Sequence, residues 1–69
     1  MTFSLGGRPY IALHNLLKAE GWAASGAQAK QLIDAGEVQV DGVVEHRRRC
    51  KIHVGQHVEM RGETLTVTA

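Results

Sequence analysis

The chain has 69 residues, of which 43% are hydrophobic and 22% are charged, and its formal net charge is +1. This length and composition leave room for one domain, over residues 1–69, with a small core, and exclude an intrinsically disordered chain. A single cysteine excludes an internal disulfide, and the lack of a signal-peptide pattern or a long apolar run leads us to expect a cytoplasmic protein without a membrane partner.

The first predicted element is a helix over "PYIALHNLLKAEG". Tyr10, Leu13 and Leu17 recur at i, i+3 and i+7, which indicates one apolar stripe along a helix. Pro9 suits the first helical turn, and Gly21 suits the position just past the end. We therefore expect a helix that starts near Pro9 and includes Tyr10 in its apolar stripe.

A second helix is predicted for "SGAQAKQLIDAG". Ser25 and Gln28 have the spacing of a capping box, in which the Ser hydroxyl accepts from the Gln28 amide and the Gln side chain reaches back to the Ser25 amide. Gly36 should end the helix. Its inner face should consist of three apolar residues, namely Ala29, Leu32 and Ile33. Because only residues 22–25 separate the two helices, they should form a tight corner.

From Glu37 onward the apolar residues follow a period of two, which is typical of strands. Val38 and Val40 share one face and precede Asp41-Gly42, a dipeptide that favours a tight hairpin because the turn needs positive φ. Short alternating runs follow in "CKIHV", "HVEM" and "LTVT". The predicted order is therefore two helices followed by several short antiparallel strands.

A dense packet of positive charge lies in "HRRRCKIH". Arg47, Arg48, Arg49 and Lys51 are four of the chain's eight Lys and Arg residues, and the other four stand against seven acidic residues. A local basic patch of this kind binds anions, and Arg suits phosphate because its planar fork can bind in a bidentate manner. If this run is a strand, Arg47, Arg49 and Lys51 point one way and Arg48 the other. The alternative is a solvated loop that serves solubility.

Four potential zinc ligands occur in the second half of the chain: His46, Cys50, His53 and His57. Strand alternation argues against a metal site, since Cys50, Ile52 and Val54 should share the core-facing side while His53 points the other way. One thiolate with scattered histidines is also weaker than a paired Cys motif. We expect no metal and no cofactor, with Cys50 as a small buried hydrophobic residue.

The ordered set of features resembles the alpha-L RNA-binding domain of ribosomal small-subunit protein four, and in particular its small free-standing bacterial members. The resemblance covers about residues 10–60. Its parts are a leucine helix that ends in glycine, Ser25, Val38-x-Val40, Asp41-Gly42 where the family usually has Asn-Gly, and Gly55 before a strand. It implies an α+β fold in which two helices in a helix-turn-helix-like corner pack on a small antiparallel β-sheet.

The resemblance also implies where RNA would bind: on the first half of the second helix and on the strand–loop region that follows. Carried over by position, the RNA-binding residues are Ser25, Gln28, Lys30, Gln31, Arg47, Arg48, Arg49 and Lys51. The family commonly has Arg directly after the helix-opening Ser, where this chain has Gly26. One expected phosphate contact is therefore missing from the helix, so phosphate binding should depend more on residues 47–51.

No nucleophile lies beside an evident base, so we expect a binding module and not an enzyme. We expect a monomer that binds structured RNA, ribosomal or transfer RNA, through phosphates, with ribosome association as one setting. The alternative is a protein-interaction module whose basic run docks on an acidic partner surface. With few aromatic residues, stacking on bases should be secondary, and Trp22 should cover the helix corner rather than stack on a base.

Overall fold

The computed structural model describes all residues, Met1–Ala69, as two helices and seven short strands around one core of sixteen buried apolar residues. The helices are α1 (Leu13–Glu20) and α2 (Gly26–Asp34). The strands are β1 (Thr2–Ser4), β2 (Ile11–Ala12), β3 (Val38–Val40), β4 (Val43–Val44), β5 (Lys51–Ile52), β6 (His57–Met60) and β7 (Glu63–Thr68). The α+β class is confirmed. Neither helix has the length and apolarity needed to cross a membrane.

Helix α1 begins later than the sequence pattern predicts, so the expected start near Pro9 is wrong. The residues before it form β2, in which Ile11 pairs with Ile52 of β5, and the Leu13 amide donates to the Cys50 carbonyl at 2.9 Å. This pairing holds the chain extended up to the first residue of the helix. Tyr10 consequently precedes the helix and stays 39% exposed instead of joining the apolar stripe.

The remaining predictions for the helix corner hold. The inner face of α1 is formed by buried leucines, namely Leu13, Leu16 and Leu17. Gly21 ends the helix with a φ of 83°, a left-handed conformation that glycine adopts without strain. The amides of Trp22 and Ala23 both donate to the Leu17 carbonyl, which turns the chain sharply toward α2. Trp22 is half-buried against the core, as expected of a residue that covers the corner.

Helix α2 begins where its capping signal predicts. The Ser25 hydroxyl accepts a hydrogen bond from the Gln28 amide at 3.1 Å, while the Gln28 side chain accepts from the Ala24 amide at 2.6 Å. The return contact of the capping box therefore falls one residue earlier than the Ser25 amide that we predicted. The inner face of α2 is buried as expected and consists of Ala29, Leu32 and Ile33. Gly36 follows the last turn with a φ of 78°.

The main sheet has five strands in the order β1-β7-β6-β3-β4. Its neighbours are antiparallel except β1 and β7, which run parallel with Thr2 opposite Thr66, so the sheet is mixed. Strand β1 was not predicted from the sequence. The Asp41-Gly42 turn joins β3 to β4 as predicted, with φ of 51° and 83° at the two residues. These values match the positive φ that a tight hairpin turn requires.

The strand predicted for "CKIHV" shrinks to β5, which pairs with β2 to form a separate two-stranded ribbon. Ile52 is fully buried and Cys50 is half-buried, but Val54 is 56% exposed. The expected core-facing set is thus wrong at Val54 because the chain turns there: the Gln56 amide donates to the His53 carbonyl at 3.2 Å. Within the ribbon, β2 leads directly into α1 and β5 directly follows Cys50, so their pairing brings the basic run beside the start of α1.

Candidate functional site

An open cleft of about 1000 Å³ lies between the amino end of α2 and the basic run. It is lined by Gly26, Ala27 and Lys30 of α2, by His14 of α1 and by residues 46–51. Five of the chain's eight Lys and Arg residues line it, and no Asp or Glu does. The rest of the chain carries three basic against seven acidic residues, so the cleft is a concentrated positive surface on an otherwise acidic molecule.

The basic run forms a turn, which corrects the expected strand alternation of its side chains. The Cys50 amide donates to the Arg47 carbonyl at 3.1 Å and closes this turn over residues 47–50. Arg47, Arg48 and Arg49 precede β5 and have no strand partner. The prediction that Arg47 and Arg49 point one way and Arg48 the other assumed a strand. Because these residues form a turn instead, that alternation does not apply to them.

His14 fixes the turn to the first turn of α1. Its backbone amide donates to the Arg48 carbonyl at 3.0 Å, and its Nδ1 lies 2.8 Å from the same oxygen. Because a carbonyl oxygen only accepts, Nδ1 must carry the hydrogen. The Arg48 carbonyl thus receives two hydrogen bonds from one residue, which places the arginines relative to the helices.

Arg47 differs from the other cations because Glu45 pairs with it. The two side chains join through Nε–Oε2 at 3.0 Å and Nη2–Oε1 at 3.1 Å, and the Arg47 amide also donates to Oε2 at 3.0 Å. The side-chain hydrogen bond from Arg47, followed by the one from its amide, lowers the pKa of Glu45 from 4.5 to about 2. Hydrogen bonding to Glu45 likewise raises the pKa of Arg47. The cations without an acidic partner in the cleft are Lys30, Arg48, Arg49 and Lys51.

The amino end of α2 adds backbone donors to the cleft. Ser25 accepts from the Gln28 amide alone, so the amides of Gly26 and Ala27 have no acceptor in the protein. Free amides at a helix amino end attract anions, because they are aligned donors at the positive end of the helix dipole. Gly26 has space beside it, since a Cβ there would lie 3.9 Å from the Lys18 side chain, an ordinary van der Waals distance.

The predicted site residues separate into two groups. The cleft brings five of them together: Lys30, Arg47, Arg48, Arg49 and Lys51. Ser25 and Gln28 are engaged in the cap of α2, and Gln31 is exposed on that helix outside the cleft lining. Five further residues line the cleft and were not predicted as RNA-binding residues: His14, Gly26, Ala27, His46 and Cys50. His14 carried no local signal, since its partner Arg48 lies 34 positions away.

The potential zinc ligands do not gather into one site. No group of three or more His, Cys, Asp or Glu side chains has an arrangement that could hold a metal ion. Burial raises the pKa of the Cys50 thiol, which favours the protonated form that binds metals poorly. The absence of zinc from the purified protein stays a prediction.

Comparison with known proteins places this fold in a family. The family model described as the S4 domain matches residues 3–68. The chain belongs to the S4 domain family. This confirms the resemblance to the domain of ribosomal small-subunit protein four. The S4 domain here is 56% identical over 68 residues to YbcJ of Escherichia coli (strain K12), a protein provisionally named as RNA-binding, with 99% of this chain and 97% of the relative covered.

Two further matches extend this assignment. A YbcJ protein from Shigella flexneri matches this S4 domain with the same identity and coverage. The solution structure of Escherichia coli YbcJ, described as revealing an alpha-L motif involved in RNA binding, aligns with a TM-score of 0.76 at 56% identity. That alignment covers 99% of this chain and 86% of the solved one. The predicted alpha-L fold is therefore confirmed.

Proposed function

We propose that this S4 domain is an RNA-binding module, and not an enzyme, that holds the phosphates of structured RNA in its basic cleft. The observation that carries the proposal is the lining of the cleft: five cationic side chains, two free helix amides and no acidic residue. The relative YbcJ of Escherichia coli, whose name and solution structure both refer to RNA binding, supports the same function. Recognition of double-stranded RNA depends largely on shape and on backbone contacts, which this site chemistry suits.

The cleft is preorganised for a rigid, multiply charged ligand. Hydrogen bonds from His14 fix the turn that carries Arg48 and Arg49, and Lys30 lies on the regular helix α2. Less conformational freedom is then lost on binding, which favours a partner whose phosphates are themselves held in place by base pairing. Folded ribosomal or transfer RNA in the cytoplasm, bound by a monomer of this chain, fits these requirements.

The experiment compares RNA with an acidic protein surface. We expect the purified protein to show a high 260/280 absorbance ratio that nuclease treatment lowers, and the nuclease-treated protein to rebind a folded ribosomal RNA fragment. Poly-glutamate of matched charge serves as the competitor. Binding to poly-glutamate with no binding to RNA would reject the proposal in favour of a module that docks on acidic partners. If the protein does bind RNA, crosslinking in cells followed by sequencing of the bound RNA would identify the target.

A further inference from the structure

The outer face of the β2–β5 ribbon carries an exposed aromatic group beside the cleft. In the ribbon, Ile11 lies opposite Ile52, and both side chains are buried. Because side chains alternate along a strand, the residues on either side of these two isoleucines face outward. Extending the register by one pair sets Tyr10 opposite His53 on the outer face. Their ring centroids are 5.9 Å apart, with the ring planes tilted by 49°.

Neither core packing nor hydrogen bonding within the protein explains why residue 10 is aromatic. The other two aromatic residues, Phe3 and Trp22, pack against the core, whereas Tyr10 is 39% exposed and lies outside that cluster. Its hydroxyl makes no hydrogen bond within the protein, since none of the side-chain hydrogen bonds involves it. An exposed ring directly before a paired strand is held in place by that strand, and a nucleobase can stack on it.

Lys51 links this ring to the cleft. Its side chain lines the cleft, and its Nζ lies 5.0 Å from the centroid of the Tyr10 ring. A cation over an exposed ring is weakly held, so Lys51 can leave the ring for a phosphate in the cleft. That movement uncovers the face of Tyr10, and the base next to the bound phosphate can then occupy it. Phosphate and base of one nucleotide would thus contact neighbouring groups of the protein.

We propose that the outer face of the β2–β5 ribbon, centred on Tyr10 and flanked by His53, is a stacking platform for one unpaired base of the RNA whose phosphates lie in the cleft. This rests on the proposed function and narrows its ligand to helical RNA with an unpaired nucleotide, such as a bulge. A base inside a duplex cannot reach the ring, because it is already stacked between its neighbours.

The test uses three labelled RNA hairpins: one fully paired, one with a single-nucleotide bulge, and one with an abasic nucleotide at the bulge. Fluorescence anisotropy with the full chain should show about tenfold tighter binding to the bulged hairpin than to either of the others, within the range that one base–aromatic stack provides. Tyr10→Leu should abolish this preference, while Tyr10→Phe should keep it. Both variants should retain the wild-type salt dependence on the paired hairpin, because every cation of the cleft remains.

The binding data distinguish failure of the stacking platform from failure of the proposed function. Equal, salt-dependent binding of all three hairpins by the wild type would overturn the platform and leave phosphate binding in the cleft intact. Loss of the preference in Tyr10→Phe would also overturn it, since the ring would then not be the group that matters. If no hairpin shows salt-dependent binding, the proposed function fails together with the platform. Unfolding midpoints of the two variants, expected to equal that of the wild type, exclude misfolding as the cause.

Discussion

Replacing Arg48 and Arg49 together by Ala should weaken the salt dependence of RNA binding by half. Four cations of the cleft have no acidic partner, so about four phosphates are neutralised on binding. Each neutralised phosphate contributes roughly 0.9 to the slope of log affinity against log salt on a duplex, which gives about −3.6 for the wild type and about −1.8 for the double variant. At about 0.15 M salt the same relation gives roughly 5.5-fold in affinity per contact, so the double variant should bind about 30-fold more weakly.

Anisotropy titrations of a folded ribosomal RNA fragment at several salt concentrations measure both slopes. The matched control is Glu45→Gln with Arg47→Gln, which removes a paired positive and negative charge together and should leave the slope nearly unchanged. Both variants should fold, because the turn is held by backbone carbonyls and by His14 and the altered side chains are largely on the surface. Equal slopes for the wild type and the double Ala variant would refute phosphate binding by the turn.

Three further changes test other parts of the structure. Ser25→Ala should lower the free energy of unfolding by about 1 kcal/mol in chemical denaturation, and an unchanged value would mean that the cap is not used. Gly26→Arg, in the space beside Lys18, should steepen the salt slope by roughly 0.9, and Gly26→Gln should not. Glu45→Gln should release Arg47 from its ion pair, so that Arg47 can bind a phosphate and the salt slope again steepens by roughly 0.9. The lowered pKa of Glu45 stabilises the fold above pH 4.5, and this contribution is lost as the pH falls toward 2, so the variant should lose less stability over that range.

The elements that the sequence predicts well are those decided by nearby residues. Helix α2 follows from the Ser25 cap and from Gly36, and the β3–β4 hairpin follows from Asp41-Gly42, because each signal acts within a few positions. The start of α1 was misplaced because Tyr10 fits a helical spacing, and only the distant partner Ile52 makes the preceding segment a strand. Strand β1 was missed because its partner β7 lies at the other end of the chain.

The candidate site shows the same division. The density of basic residues at 47–51 is visible in composition, and the family resemblance added Lys30, which the structure brings to the same cleft. The pairing of Arg47 with Glu45 joins residues only two positions apart, which a strand would also place on one face, so this local contact was overlooked rather than hidden from the sequence. The contact of His14 with the Arg48 carbonyl depends on how α1 packs beside that turn, which no local signal encodes.

RNA is proposed to enter the cleft between α2 and the basic run, residues 47–51. Titration of the isotopically labelled chain with a folded ribosomal RNA fragment, followed by backbone amide chemical shifts, tests it most directly. We expect the largest shift changes at Gly26, Ala27 and residues 46–51, while the amides of β6 and β7 stay unchanged. Changes concentrated on the five-stranded sheet, or no changes at low salt, would contradict it.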